Sequence, residues 1–327
     1  MTGADEPDVA TGGVRMIVFA GPNGSGKTTT IEATRTGPQA ASFPALYINA
    51  DDIARTEFAA IADPFQRNLA AAQAAESRRR QAIESRQAFA FETVMSTPEK
   101  VALITQARAR GYDVLVVFVT TADPQINVRR VAQRVIEGGH GVPTDKIVER
   151  YENAMRLLPH AVDHAQHAQV YDNSAENEAA VALLVARKQS GRLRLAVDPA
   201  SAPDWVAERL VAPYVDLQRS RQVIAQAFDV LRAKRPDLAE ARVSEGDASE
   251  GKRYDGVVIA KTAHHALQQV GPLEFAVHDR ALYPARVVVG RSASIAYAWQ
   301  AGRFVRPSGE RARAIGKTRR DRGRDRS

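Results

Sequence analysis

Residues Gly21, Pro22, Asn23, Gly24, Ser25, Gly26, Lys27 and Thr28 satisfy G-x-x-x-x-G-K-[ST] at every constrained position. Residues 15–20 (RMIVFA) precede the pattern as a short apolar run, of the kind that forms a strand buried on both faces. Residues 27–35 follow it as a helical stretch. In that setting the glycines let the backbone curl so that several N–H groups point inward at phosphate oxygens. The new helix adds the positive end of its dipole. Lys27 can reach the β- and γ-phosphates and the Thr28 hydroxyl can ligate Mg²⁺, with Thr29 completing the nucleotide-binding run. The pattern specifies a nucleoside triphosphate, ATP or GTP, without saying where its γ-phosphate goes.

The rest of the first half repeats the strand–helix alternation. Strands are expected at 45–49, 88–93, 112–120 and 169–172, the last closing the sheet. Helices are expected from Asp51, at 65–86 and 98–110, and at about 124–137 and 144–158. Alternation over this length implies an α/β fold, a P-loop NTPase/kinase-like parallel sheet with helices on both faces. After about residue 190 the pattern changes. Residues 204–238 read as helical, 245–251 (EGDASEG) as a hydrophilic linker, and 253–305 as short β-rich stretches separated by Gly, Pro or polar residues. The expected organisation is a flexible leader (1–13), a nucleotide-binding domain (14–195), a helical connector and linker (196–251), a small all-β module (252–306) and a basic disordered tail (307–327).

Composition narrows the function classes. The chain has 327 residues and no cysteine, which excludes disulfide scaffolds and thiolate chemistry and suits a reducing cytoplasm. No apolar run approaches about 18 residues, so no membrane span is expected. The net charge is +7, but residues 306–327 hold nine Lys or Arg against three Asp or Glu. The excess charge therefore belongs to the tail. Any contact with nucleic acid rests on that tail alone.

A switch or motor ATPase carries an acidic residue at a hydrophobic strand end to hold Mg²⁺. Here the strand 112–120 ends in Thr-Thr-Ala, with Asp123 too far on, which favours a small-molecule kinase. Asp51 follows the second strand and should face the phosphate crevice, as a base for an acceptor hydroxyl or a Mg²⁺ contact. Its competing role, helix capping, is assigned to Asp52. Glu92 and Thr93 end the third strand and suit gripping sugar hydroxyls, or form a solvated strand end. Arg130 and Arg134, spaced i, i+4, share one helix face and could close over phosphates or face solvent. The glycines of 138–143 (GGHGVP) suit a mobile lid, with His140 as a substrate contact. His160, His164 and His167 are expected to form a surface cluster.

The ordered set GPNGSGKTT, NADDIA, FETVMST, GYDVLVVFV, RRVAQRVIEGGHGVP with IVERY, and YDNS resembles the zeta-toxin family of P-loop kinases, in its short branch, over about 15–190. The resemblance implies phosphoryl transfer from ATP or GTP to a hydroxyl of a nucleotide-like metabolite. Better-known members phosphorylate UDP-N-acetylglucosamine, and a relative phosphorylates NAD. It places the base on Asp51, an acceptor contact on Glu92 and phosphate contacts on Arg130 and Arg134. It also implies a toxin with a cognate antitoxin protein. Longer toxins have Gly-Thr-x-Arg where this chain has Thr93, Val94, Met95 and Ser96, and a lid arginine near His140. Residues 253–306, with YDGVVIA, QQVG, AVHDRALYP and VGRSASIAYAWQAGRFV, resemble a KfrB-type domain, which implies a mobile-element setting and an interaction role. The competing function is a nucleotide-gated regulatory protein of a plasmid, using the β-module and tail to contact a partner or DNA.

Overall fold

The structure is a computed structural model that describes residues 13–38, 40–139, 141–175, 181–283, 285–300 and 303–304. The first part alternates β1 (Val14–Ala20), α1 (Lys27–Thr36), β2 (Leu46–Ile48), α2 (Ala50–Thr56), α3 (Pro64–Glu84), β3 (Phe89–Thr93), α4 (Pro98–Ala109), β4 (Tyr112–Thr120), α5 (Pro124–Ile136), α6 (Thr144–His164) and β5 (His167–Asp172). Strands β2, β3, β1, β4 and β5 lie side by side in that order, all parallel. All nine residues of β4 are buried, as its unbroken apolar run requires of a strand covered on both faces.

Successive residues of the central strands face opposite sides of the sheet. Ile17, Phe19, Leu115 and Val117 pack on one face with Ile31 of α1. Met16, Val18, Phe89, Phe91, Val114 and Val116 pack on the other, against α3, α4 and α6. Both faces are therefore covered by helices, but unequally.

Residue 172 does not close the sheet. Two further strands, β6 (Leu183–Gln189) and β7 (Arg192–Leu195), add antiparallel to it. Their turn has Ser190 and Gly191 at φ 49° and 76°, the left-handed pair that suits a two-residue hairpin. The segment's Arg and Lys content hides this signal from an apolar-run reading.

The connector is a π-helical stretch (Val206–Val211) running into α7 (Ala212–Lys234). Pro213, with no N–H to donate, sits where the hydrogen-bond pattern changes. The C-terminal sheet joins β8 (Arg242–Glu245), β9 (Arg253–Lys261), β10 (His265–Gln269), β11 (Glu274–Asp279) and β12 (Ser292–Ala296) in the order β12-β9-β10-β11-β8. A short pair follows, β13 (Trp299–Gln300) and β14 (Arg303–Phe304). Ile224 and Phe228 of α7 pack against Leu267, Phe275 and Val277 of this sheet.

The hydrophilic stretch 245–251 is built into the module. Gly246 N–H donates to the Val277 carbonyl at 2.7 Å, and Ala248 is buried. A Cβ at Gly246 would lie 2.6 Å from His278 Nδ1, so only glycine fits there.

The three histidines do not form a surface cluster. His160 Nδ1 and His164 Nε2 of α6 lie 2.7 and 2.9 Å from Asp279 Oδ2 at the end of β11, and His164 is 3% exposed. His167 pairs instead with Asp113, at 3.2 Å. Beside the His–Asp contact, Arg221 of α7 bridges Asp163 of α6 and Glu245 of β8. Hydrophobic packing continues across the same seam, since Leu282, Tyr283, Ile295 and Tyr297 belong to the cluster that includes Leu157 and Leu158 of α6. The β-module is thus joined to the parallel-sheet domain by apolar and ionic contacts together.

Candidate active site

The sheet order determines which strand ends meet. Strand β1 lies between β3 and β4, and Phe19 and Ala20 pair with Glu92 and Thr93. The loop that follows β1 therefore starts beside the carboxylate that ends β3. Gly21 N–H donates to the Thr93 carbonyl at 3.2 Å, tying the two ends together.

The loop has the curled backbone its glycines permit. Gly21, Gly24 and Gly26 have φ of 143°, 75° and 93°. Added Cβ atoms would lie 1.9 Å from the Val119 carbonyl oxygen, 2.8 Å from the Asn127 carbonyl oxygen and 2.3 Å from Asn173 Nδ2, respectively. Gly21→Ala is expected to cost about 1–3 kcal/mol in backbone strain and to abolish ATP binding. Thermal unfolding and calorimetric titration with ATP check this; binding at the native affinity would show that the loop tolerates the clash.

Helix α1 starts at Lys27 with no acidic residue in its first turn, which suits an anion at its N-terminus. Lys27 is 6% exposed; its Nζ donates to the Pro22 carbonyl at 2.9 Å and lies 3.6 Å from Glu92 Oε1. Burial pushes its pKa below the usual lysine value, and the Glu92 carboxylate opposes that shift. Asp51 also raises the proton affinity of Lys27 and Arg134 lowers it, so both sit within the electrostatic reach of the lysine. Inside the loop the Ser25 hydroxyl is buried without a hydrogen-bond partner. Thr28 and Thr29 are exposed.

On the other flank, Asn49 organises the end of β2. Its Oδ1 accepts from Asp51 N–H at 2.8 Å and from Asp52 N–H, so Asn49 is the cap of α2. The cap is not Asp52, which pairs with Arg55. Asp51 thereby sits in the first turn of α2 with an exposed carboxylate. The Nδ2 of Asn49 donates to Glu92 Oε2 at 3.2 Å and to the Tyr47 hydroxyl at 3.1 Å. Burial pushes the Tyr47 hydroxyl up to about 12, which keeps it protonated. The Thr93 hydroxyl accepts from Met95 N–H at 3.1 Å, shaping the turn after β3.

Two asparagines hold the loop in place, and sequence reading assigned neither a role. Asn127 of α5 is fully buried, donates to the Asn23 carbonyl at 2.6 Å and accepts from the Thr121 hydroxyl. Tyr151 OH of α6 donates to the Thr121 carbonyl at 2.7 Å. Asn173 Nδ2 donates to the Ser25 carbonyl at 2.9 Å from the opposite side. Asn173 lies within the quoted YDNS segment, and Asn127 lies in the first turn of the helix that carries the arginines.

The two arginines divide. Arg130 donates to the Asn173 and Ala175 carbonyls at 2.8 and 2.9 Å and so braces the segment after β5. Arg134 is the one that acts on Lys27. At the end of β4, Thr120 and Thr121 are fully buried. Asp123 caps α5 by accepting from Gln125 N–H at 2.8 Å, so its carboxylate is committed there. His140, the first twelve residues of the leader and the basic tail lie outside the described residues.

Among the described residues no group of three or more His, Asp or Glu could hold a metal by itself. The exposed oxygens of Thr28 and Asp51 nonetheless suit Mg²⁺, which takes few protein ligands and completes its shell with phosphates and water. No helix among the described residues is long and apolar enough to cross a membrane.

The zeta toxin family model matches residues 12–181, more than half of the chain. The chain belongs to the zeta toxin family. A KfrB domain model matches residues 253–305, so this family member carries a KfrB domain C-terminal to its nucleotide-binding sheet. No curated protein sequence matches the chain. Among solved structures, the AvrRxo1-ORF1:AvrRxo1-ORF2 complex with sulphate ions is similar at 15% identity and a TM-score of 0.46, over 59% of this chain and 65% of that one. This zeta toxin family member thus spans just under two thirds of the AvrRxo1 chain it matches. The PezAT chromosomal toxin-antitoxin system of Streptococcus pneumoniae is similar at 16% identity and a TM-score of 0.40, over 61% and 79% of the two chains. A gluconokinase from Sinorhizobium meliloti 1021 matches at 14% identity and a TM-score of 0.27, over 63% and 95%.

Proposed function

We propose that this chain is a kinase that transfers the γ-phosphoryl group of ATP or GTP to a sugar hydroxyl of a nucleotide-like acceptor. A sugar nucleotide resembling UDP-N-acetylglucosamine is the favoured acceptor, with NAD and nucleosides as alternatives. The observation that carries this reading is the close approach of Lys27 to Glu92 beside the loop, with Asp51 acting on the lysine through space from the end of the neighbouring strand. A triphosphate-binding lysine lies 3.6 Å from one carboxylate and within the field of a second.

On this reading each residue has a role. Backbone N–H groups of residues 21–28 and the Lys27 ammonium bind the donor phosphates, and the Ser25 hydroxyl gains a partner when phosphate oxygens enter the loop. Glu92, oriented by Asn49, accepts hydrogen bonds from the acceptor's hydroxyls. Asp51 takes the proton of the attacking hydroxyl as its oxygen bonds to the γ-phosphorus and the bond to the β-phosphate oxygen breaks, releasing the nucleoside diphosphate. Arg134 offsets negative charge on the transferring group, while Arg130 keeps the wall formed by residues 173–175 in place. Thr28 and Asp51 would hold Mg²⁺, which when bound neutralises phosphate charge. The family supports a second part of the reading, that the kinase is the toxin of a toxin-antitoxin pair with a cognate antitoxin protein as its partner.

Incubation with ATP and a panel of UDP-sugars, NAD and nucleosides, read by mass spectrometry, tests the activity. The expected result is gain of one phosphate by a panel member with the native chain and none with Lys27→Ala. Release of inorganic phosphate to water, unaffected by every acceptor, would point instead to an ATPase. Growth on expression of the native chain against Lys27→Ala tests toxicity: arrest with the native chain only supports it, and equal growth counts against it.

A further inference from the structure

A cavity of about 230 Å³ lies between the nucleotide-binding domain and the KfrB domain. Arg79 of α3 and Lys100 and Gln106 of α4 line one side, and Ser249 of the stretch preceding the KfrB domain and Trp299 of that domain line the other. It does not belong to the phosphate loop. Phe91, against which Arg79 stacks, packs on the face of the sheet away from α1.

Arg79 is 7% exposed, and its guanidinium lies 5.3 Å from the Phe91 ring centroid. Among the described residues it makes no hydrogen bond and no ion pair within 4.0 Å. The guanidinium thus borders the cavity with an aromatic face as its direct contact and with Glu76 and Glu99 offsetting its charge only through space, so its N–H donors are open to an acceptor that enters. Four carboxylates, Glu76, Glu84, Glu99 and Glu250, also line the cavity, and three of them pair with other cations. Glu76 and Glu250 both pair with Arg80, and Glu99 lies 3.2 Å from Lys100. Burial lowers the proton affinity of Arg79 and of Lys100, and Arg79 lowers that of Lys100 further. The two cations therefore face one partly closed space, with Glu76 and Glu99 offsetting part of their charge.

We propose that this cavity binds a small oxyanion, a phosphate or carboxylate group, gripped by the Arg79 guanidinium with Lys100 as its second cation. The planar fork of Arg79 matches two oxygens of either group. The volume is below the range of about 300–1,000 Å³ that encloses drug-sized ligands, so the occupant is a small ion or ester rather than a nucleotide. Because the walls come from both units, the anion binds their docked arrangement and stabilises it by mass action.

The test is calorimetric titration of the full chain carrying Lys27→Ala, which disables the phosphate loop. Inorganic phosphate and malonate are titrated separately, at ionic strength fixed with chloride. Saturable binding of at least one is expected. Adding Arg79→Gln should weaken it at least tenfold. Adding Gln106→Glu, which puts a repelling carboxylate into the wall without deleting any observed hydrogen bond, should weaken it too. Binding of phosphate alone assigns a phosphoryl ligand, and of malonate alone a carboxylate. Far-UV circular dichroism checks folding, and if Arg79→Gln does not fold, Gln106→Glu decides. No saturable binding of either anion, or binding that the folded variants leave unchanged, overturns the proposal.

Discussion

Asp51→Asn is expected to slow phosphoryl transfer by about 10²–10⁴-fold, the usual contribution of a positioned general base, while leaving nucleotide affinity within a few fold. The asymmetry follows from position. Asp51 belongs to the first turn of α2, held there by its N–H bond to Asn49, and it contributes no atom to the loop 21–28. Its carboxylate affects Lys27 only through space. Removing it therefore deletes a proton acceptor without dismantling the phosphate cradle. Lys27→Ala should do the reverse and weaken nucleotide binding itself. Steady-state rates with the acceptor identified by the panel, beside titration with a non-hydrolysable ATP analogue, separate the two. Undiminished transfer by Asp51→Asn would remove Asp51 from the role of base.

Asp279→Ala should destabilise the protein by about 3–5 kcal/mol, the cost of breaking a buried ionic contact by removing one partner. The Asp279 side chain is 0% exposed and accepts from both His160 and His164. Its other oxygen caps the turn Arg280–Leu282 by accepting from Ala281 N–H at 2.8 Å. By contrast Asp255, 61% exposed beside Arg253, should cost no more than about 1 kcal/mol on removal. Urea denaturation of the two variants makes the comparison, and equal midpoints would contradict it. The pH dependence has a definite sign. Burial alone would raise the Asp279 carboxyl, but the hydrogen bonds and charge of His160 and His164 hold it well below the usual carboxylate range. A depressed carboxyl stabilises the folded state above its ordinary value of about 4, and that contribution is lost as pH falls below it. The variant should accordingly lose less stability than the native chain between pH 5 and the acid transition.

What could be read from the sequence was local. The phosphate loop needs residues adjacent in the chain, and β4 is a single apolar run, so both are legible with their boundaries. Glu92 and Asp51 stand out in the sequence because parallel strands present their carboxyl ends to one crevice, and the structure puts Glu92 at the end of β3 and Asp51 just after β2. The residues that escaped depend on partners remote in the chain. Asn127 and Asn173 reach the loop across 104 and 148 residues, and as small polar side chains they carry no pattern. His160 and His164 have the spacing of one helix face. Their partner Asp279 comes 119 and 115 residues later, so the face looked solvated. Arg130 shows a finer limit: helical spacing predicts which residues share a face, but not that one of them is taken by backbone carbonyls.

The central claim is that a triphosphate and an acceptor alcohol meet in one cleft with Asp51 facing the transferring group. Crystallography of the full chain with Mg²⁺ and a non-hydrolysable ATP analogue tests it most directly. The account predicts β- and γ-phosphates within the loop 21–28, contacted by Lys27, with the Asp51 and Glu92 carboxylates bordering the space in front of the γ-phosphate. Phosphates bound elsewhere, or a γ-phosphate facing away from both carboxylates, would contradict it.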